Sequence, residues 1–138
     1  MKDLVKPDLV KEYEGRYIAL AETAQSYFSA FGGETAKRLA LVDSAAKQVV
    51  ANVQAGVENG IIVYTVFGRG TIFSLSVCEE HIEIFAPTAA LDINVYLIGL
   101  KKIKLKHEMG IIKFLHSKKM QYETVAKLIN LCSRCRNN

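Results

Sequence analysis

The spacing of apolar residues changes from helical to extended at Glu58-Asn59-Gly60, and that change limits what can be built on either side of it. Before this point apolar residues recur at steps of three and four; after it they run continuously or alternate. Helical stripes followed by half-buried strands exclude a pure bundle and a pure sandwich. The class this predicts is α+β.

From Asp8 to Phe31 the positions Val10, Tyr13, Tyr17, Leu20, Ala24, Tyr27, Phe28 and Phe31 fall on one helical stripe. Gly15 inside it counts against a helix, at about 1 kcal/mol relative to alanine. Gly32-Gly33 breaks the pattern, and a second helix is expected over 34–53, with Leu39, Val42, Ala46, Val49, Val50 and Val53 on one side. Residues 1–56 therefore read as a helical hairpin. Pro7 sits where a helix can begin.

Ile61 to Phe67 is apolar on both faces, as a central strand is. Thr71 to Val77 alternates, with Phe73, Leu75 and Val77 opposite Ser74 and Ser76, and Gly68-Arg69-Gly70 turns one strand into the other. Further strands are expected at 81–85, 91–98, 100–106 and 111–116, and a C-terminal helix over 119–136 carries Tyr122, Val125, Ile129 and Cys132 on one face. The expectation is one domain over 1–138, with about six antiparallel strands in a meander over 60–117.

The strand pair TIFSLSV and HIEIF, then INVYLIGLKKIKLK and GIIKFLH, and finally YETVAKLINLC follow each other in an order that resembles a bacterial or GRAM-type pleckstrin-homology-like domain over about residues 60–136. The resemblance implies a strongly bent sheet closed at one end by the last helix. It also implies a non-catalytic module that binds lipid head groups or proteins. It assigns no residue here as a ligand.

Charge is distributed unevenly. Residues 1–100 carry 8 Lys or Arg against 12 Asp or Glu, a net of −4, whereas 101–138 carry 10 against 2, a net of +8. Lys102, Lys104 and Lys106 share one face of the expected strand over 100–106, and Lys113 joins that face across the His107-Glu108-Met109-Gly110 turn. Such a ribbon can hold phosphates, anionic lipid heads or an acidic partner surface. The same lysines also suit a solvated edge that resists aggregation. Nucleic acid is less well matched, because aromatic or arginine interleaving is missing. His107 and His116 belong to the same hairpin and can titrate near neutral pH.

Three cysteines form no disulfide framework and suit a reducing compartment. Cys132-Ser-Arg-Cys135 is half of a zinc pattern, and Cys78 with His81 supplies another half only if their turn lies beside the last helix. Cys78-Glu79-Glu80-His81 holds a nucleophile and a base, but closeness in sequence supplies neither an orienting group nor an oxyanion site. The glycine turns lack P-loop or dinucleotide spacing. No catalytic residue, metal site or cofactor is expected.

No apolar run reaches the roughly 18 residues a spanning helix needs, and MKDLVKPDLVKEYE is too polar for a signal peptide. The expectation is a cytoplasmic binding module, not an enzyme, with Lys102, Lys104, Lys106 and Lys113 as the docking residues. The alternative is a homodimeric adaptor using Tyr13, Tyr17, Tyr27, Phe28 and Phe31 of the first helix as its interface.

Overall fold

The computed structural model describes residues 1–86, 106–108 and 110–136. Its first departure from the sequence reading is at Glu14 and Gly15, whose φ angles of 51° and 81° both lie in the left-handed region. Two such residues form the two-residue turn that matches the twist of a β-hairpin. The expected helix over 8–31 is therefore replaced by a 3-10 turn at Pro7–Leu9, strand β1 (Val10–Tyr13), strand β2 (Arg16–Ala19) and a short helix α1 (Ala24–Ser29). Its stripe was not a face: Val10 and Tyr17 are buried, whereas Tyr13 and Leu20 are each 60% exposed. Thr23 caps α1 by accepting from the Ser26 amide at 3.2 Å.

Helix α2 (Gly33–Val49) occupies most of the span expected for it. Gly32 offers no capping side chain, and Asp3 supplies one from far back in the sequence. Its Oδ2 accepts from the Thr35 amide at 3.2 Å and from the Thr35 hydroxyl at 3.0 Å. Beyond Val49 the chain leaves the helix, short of the expected residue 53, and with Asn52 at φ 62° it forms β3 (Gln54–Glu58), whose start falls within the helical hairpin expected over 1–56.

Asn59 and Gly60, at φ 54° and 82°, turn β3 into β4 (Ile61–Val66). Strands β5 (Gly70–Cys78) and β6 (His81–Phe85) follow, then β7 (Lys106–Glu108), β8 (Ile111–Leu115) and helix α3 (Tyr122–Arg136). The described residues contain eight strands where about six were expected. The strands expected over 91–98 and 100–106 lie outside the described residues, apart from Lys106, and His107-Glu108 is strand rather than turn.

The simple meander is corrected as well. Along the main path the order is β1-β2-β5-β6-β8-β7, and β3-β4 attaches to β5. β5 is long enough to pair with β4 through Gly70–Leu75 and with β2 through Val77 and Cys78. Among the described residues all strand pairings are antiparallel.

One sheet face carries Ile62, Tyr64, Phe73, Leu75, Val77, Ile82, Ile84, Ile112 and Phe114, all buried. Helices α2 and α3 pack on each other, and Leu39, Val42, Val125, Leu128, Ile129 and Cys132 join the same core. Each such aliphatic side chain contributes about 1.5–3 kcal/mol by leaving water. Tyr64 stacks on Phe73 at 4.4 Å and donates to Asp43 Oδ1 on α2 at 2.9 Å. Arg38 of α2 reaches the carbonyls of Leu115 and His116, both at 2.9 Å, and that of Lys118, tying the end of β8 to the helix layer. Among the described residues no helix is long and apolar enough to cross a membrane.

Candidate functional site

The other face of the sheet carries polar side chains that are buried. Alternation along β5 sends Ser74, Ser76 and Cys78 to the side opposite Phe73, Leu75 and Val77, and all three are under 10% exposed. Register sets Glu83 across from Ser76 on one side and Lys113 on the other. Arg16 lies across from Cys78. Glu79-Glu80 is the two-residue loop between β5 and β6, so Cys78 and His81 flank it, and His81 and Glu83 share a face as i and i+2.

Arg16, Cys78, His81, Glu83 and Lys113 line a cleft of about 560 Å³ between the β1–β2 turn and the β5–β6 turn. The turns are joined by the Glu79 amide donating to the Gly15 carbonyl at 2.7 Å, and by the Tyr17 hydroxyl donating to the Glu79 carboxylate. That second bond holds the Glu79 carboxyl below its ordinary value. Inside the cleft Arg16 pairs with Glu83, which is nine-tenths buried. Burial opposes the Arg16 charge, but Glu83 and Cys78 together hold its pKa above the ordinary arginine value. The ligand atoms of Cys78, His81 and Glu83 all lie within 4.8 Å of one another.

Burial first, and Glu83 second, push the Cys78 thiol up. Burial pulls His81 down against the opposing influence of Glu83. A neutral thiol beside a neutral imidazole is the reverse of the thiolate–imidazolium couple that cysteine nucleophiles use. Among the described residues Glu14, Glu79, Glu80 and Glu83 line this cleft against Arg16 and Lys113, so its surroundings are net acidic.

Of the expected docking residues, Lys102 and Lys104 lie outside the described residues. Lys106 is in β7, directly across from Lys113 in the β7–β8 register, and Lys113 reaches the cleft. Of the expected interface residues, Tyr17, Tyr27 and Phe31 are buried. Edge-to-face contacts of 5.7 Å (Tyr17–Phe31) and 5.4 Å (Tyr27–Phe31) hold them in the core. Phe28 packs partly against that core, and only Tyr13 is well exposed. An aromatic surface on a first helix is thus corrected to a β-hairpin and a short helix whose rings mostly face inward.

Cys132 joins the helix-side core and Cys78 lies on the opposite face of β5, so these two cysteines do not meet, and the Cys135 side chain lies outside the described residues. His116 stands just past β8, where its Nε2 lies 2.9 Å from the Cys78 carbonyl. Sequence reasoning passed over Arg16 and Glu83. The signal for Glu83 was present as Cys-x-x-His-x-Glu across a two-residue hairpin loop, where alternation puts all three on one face. The signal for Arg16 was not, because it arrives from a strand 62 residues before Cys78. No protein-family model, curated protein or solved structure matches the chain.

Proposed function

We propose that this chain is a non-catalytic binding module that docks on an anionic ligand or an acidic partner surface through its β7–β8 hairpin, the kind of role implied by the pleckstrin-homology-like resemblance. The observation that carries the reading is the rung at which Lys106 is opposite Lys113. Register puts two lysines of the expected ribbon at one rung, a local concentration of positive charge suited to an anion. The rung belongs to a segment whose net charge over 101–138 is +8. The neutral states of Cys78 and His81 favour binding over nucleophilic chemistry.

The test is elution from immobilised heparin with the full chain. The parent elutes late, and the Lys106→Glu, Lys113→Glu double variant elutes at markedly lower salt, because each lost phosphate contact lowers the salt dependence of binding. Equal elution of two equally folded proteins rejects the hairpin as an anion site. A concentration-dependent mass for the parent, with early elution, favours the homodimeric adaptor instead.

A further inference from the structure

We infer that Cys78, His81 and Glu83 form a binding site for a zinc-class divalent ion, with one coordination place open toward the cleft. This goes beyond the docking reading and does not depend on it, since it uses a different set of residues.

The donors are a thiol, an imidazole and a carboxylate, which is a ligand set that zinc accepts. Donor atoms no more than 4.8 Å apart allow an ion at their centre to lie within about 2.8 Å of each, against bond lengths of about 2.0–2.3 Å. Shifts of about 0.5–0.8 Å, which rotamer adjustment supplies, close the difference. Rigid elements place all three: Cys78 ends β5, His81 opens β6, and Glu83 follows two residues later.

A second observation points to a ligand. His81 Nε2 is buried, and its contact is a long ion-pair approach of 3.5 Å to Glu83 Oε1 rather than a well-formed hydrogen bond. Buried polar atoms without partners are rare and costly. A metal ion would satisfy this one.

Arg16 is the competitor. Its guanidinium already balances Glu83, and its side chain is 42% exposed, so it has a path to solvent when an ion takes its place. Metal and guanidinium are alternatives at one carboxylate. The carboxylates of Glu14 and Glu80 add a field that favours a cation, whereas Glu79 is paired with the amino terminus and Lys113 acts against it. Binding turns the Cys78 thiol into a thiolate and releases its proton to water.

The experiment uses the full chain, reduced and stripped of metal, titrated with cobalt(II) and then with zinc. The expected result is one equivalent of cobalt with a thiolate-to-cobalt charge-transfer band, erased by zinc. Cys78→Ser abolishes the band. Glu83→Gln and His81→Asn weaken binding by more than the roughly 10–100-fold typical of an outer-shell partner. The Cys132→Ser, Cys135→Ser double variant keeps the band unchanged. No band in the parent overturns the site, and so does a band that survives Cys78→Ser but vanishes with the double variant. If Cys78→Ser does not fold, Arg16→Gln decides. Removal of the competing guanidinium tightens cobalt binding about tenfold or more, and unchanged or weaker binding overturns the proposal.

Discussion

The Tyr27 hydroxyl accepts a hydrogen bond from the Val77 amide at 2.9 Å while donating to the Tyr17 carbonyl at 2.7 Å. One buried side chain of α1 thus bridges β2 and β5 where their ladder has only two rungs, Arg16↔Cys78 and Tyr17↔Val77. The cleft depends on that join, since its two turns come from β1–β2 and β5–β6.

Tyr27→Phe keeps the ring and leaves a buried amide and a buried carbonyl without their partner. The expected loss is about 1–3 kcal/mol in urea unfolding, the cost of an unsatisfied buried donor. Tyr13→Phe, on an exposed ring, stays within about 0.5 kcal/mol of the parent. Equal midpoints for the two variants would mean that the bridge is energetically idle.

Gly60 combines φ 82° with a close neighbour. A Cβ there would lie 2.0 Å from Ile18 Cγ2, and the Gly60 carbonyl accepts from the Ala19 amide at 2.7 Å. Gly60→Ala is expected to destabilise by about 1–3 kcal/mol through the strained backbone alone, with the clash added to it. Gly56→Ala in β3 has nothing within 4 Å of its Cβ and serves as the control. Thermal unfolding of the pair reads the difference, and a small shift for Gly60→Ala contradicts the close contact of the two hairpins.

Alkaline pH tests the buried tyrosines. Burial raises the Tyr27 hydroxyl above its ordinary 10.0 despite the Val77 amide, and burial aided by Asp43 raises Tyr64. Folding therefore favours the protonated form of both. Their contribution is fully present below pH 10 and is lost as pH rises beyond it, because the unfolded chain releases these protons first. Urea midpoints hold between pH 7 and about 9.5 and then fall, and the fall is shallower in Tyr64→Phe. An identical slope in that variant removes Tyr64 from the account.

Strands β5, β6 and β8 and helices α2 and α3 were legible because each has one period and one apolar face. Phe73, Leu75 and Val77 can alternate only as a strand, and Val125, Ile129 and Cys132 can line up only on a helix. The β1–β2 hairpin was not legible in the same way. Val10, Tyr13, Tyr17 and Leu20 fit a helical stripe, and the contrary signal was confined to Glu14-Gly15. Asn59-Gly60 is a strong hairpin signal, yet Val49, Val50 and Val53 extended the helical pattern over the approach to its first strand. Half of the cleft could be read locally, from Cys78 to Glu83. The other half, Arg16 and Lys113, is brought in by strand pairings that no local pattern encodes.

The Tyr27–Val77 bond also has a consequence in time. The two residues are separated by 50 positions, and Tyr17, Tyr27 and Phe31 all precede the strand that encloses them. At synthesis rates of ~5–20 residues per second, about 3–10 s pass between making the rings and making Val77. During that interval the β1–β2 turn can close, but its aromatic side has no sheet to cover it. A nascent chain of this protein therefore carries Tyr17, Tyr27 and Phe31 without their covering strand until β5 has been made.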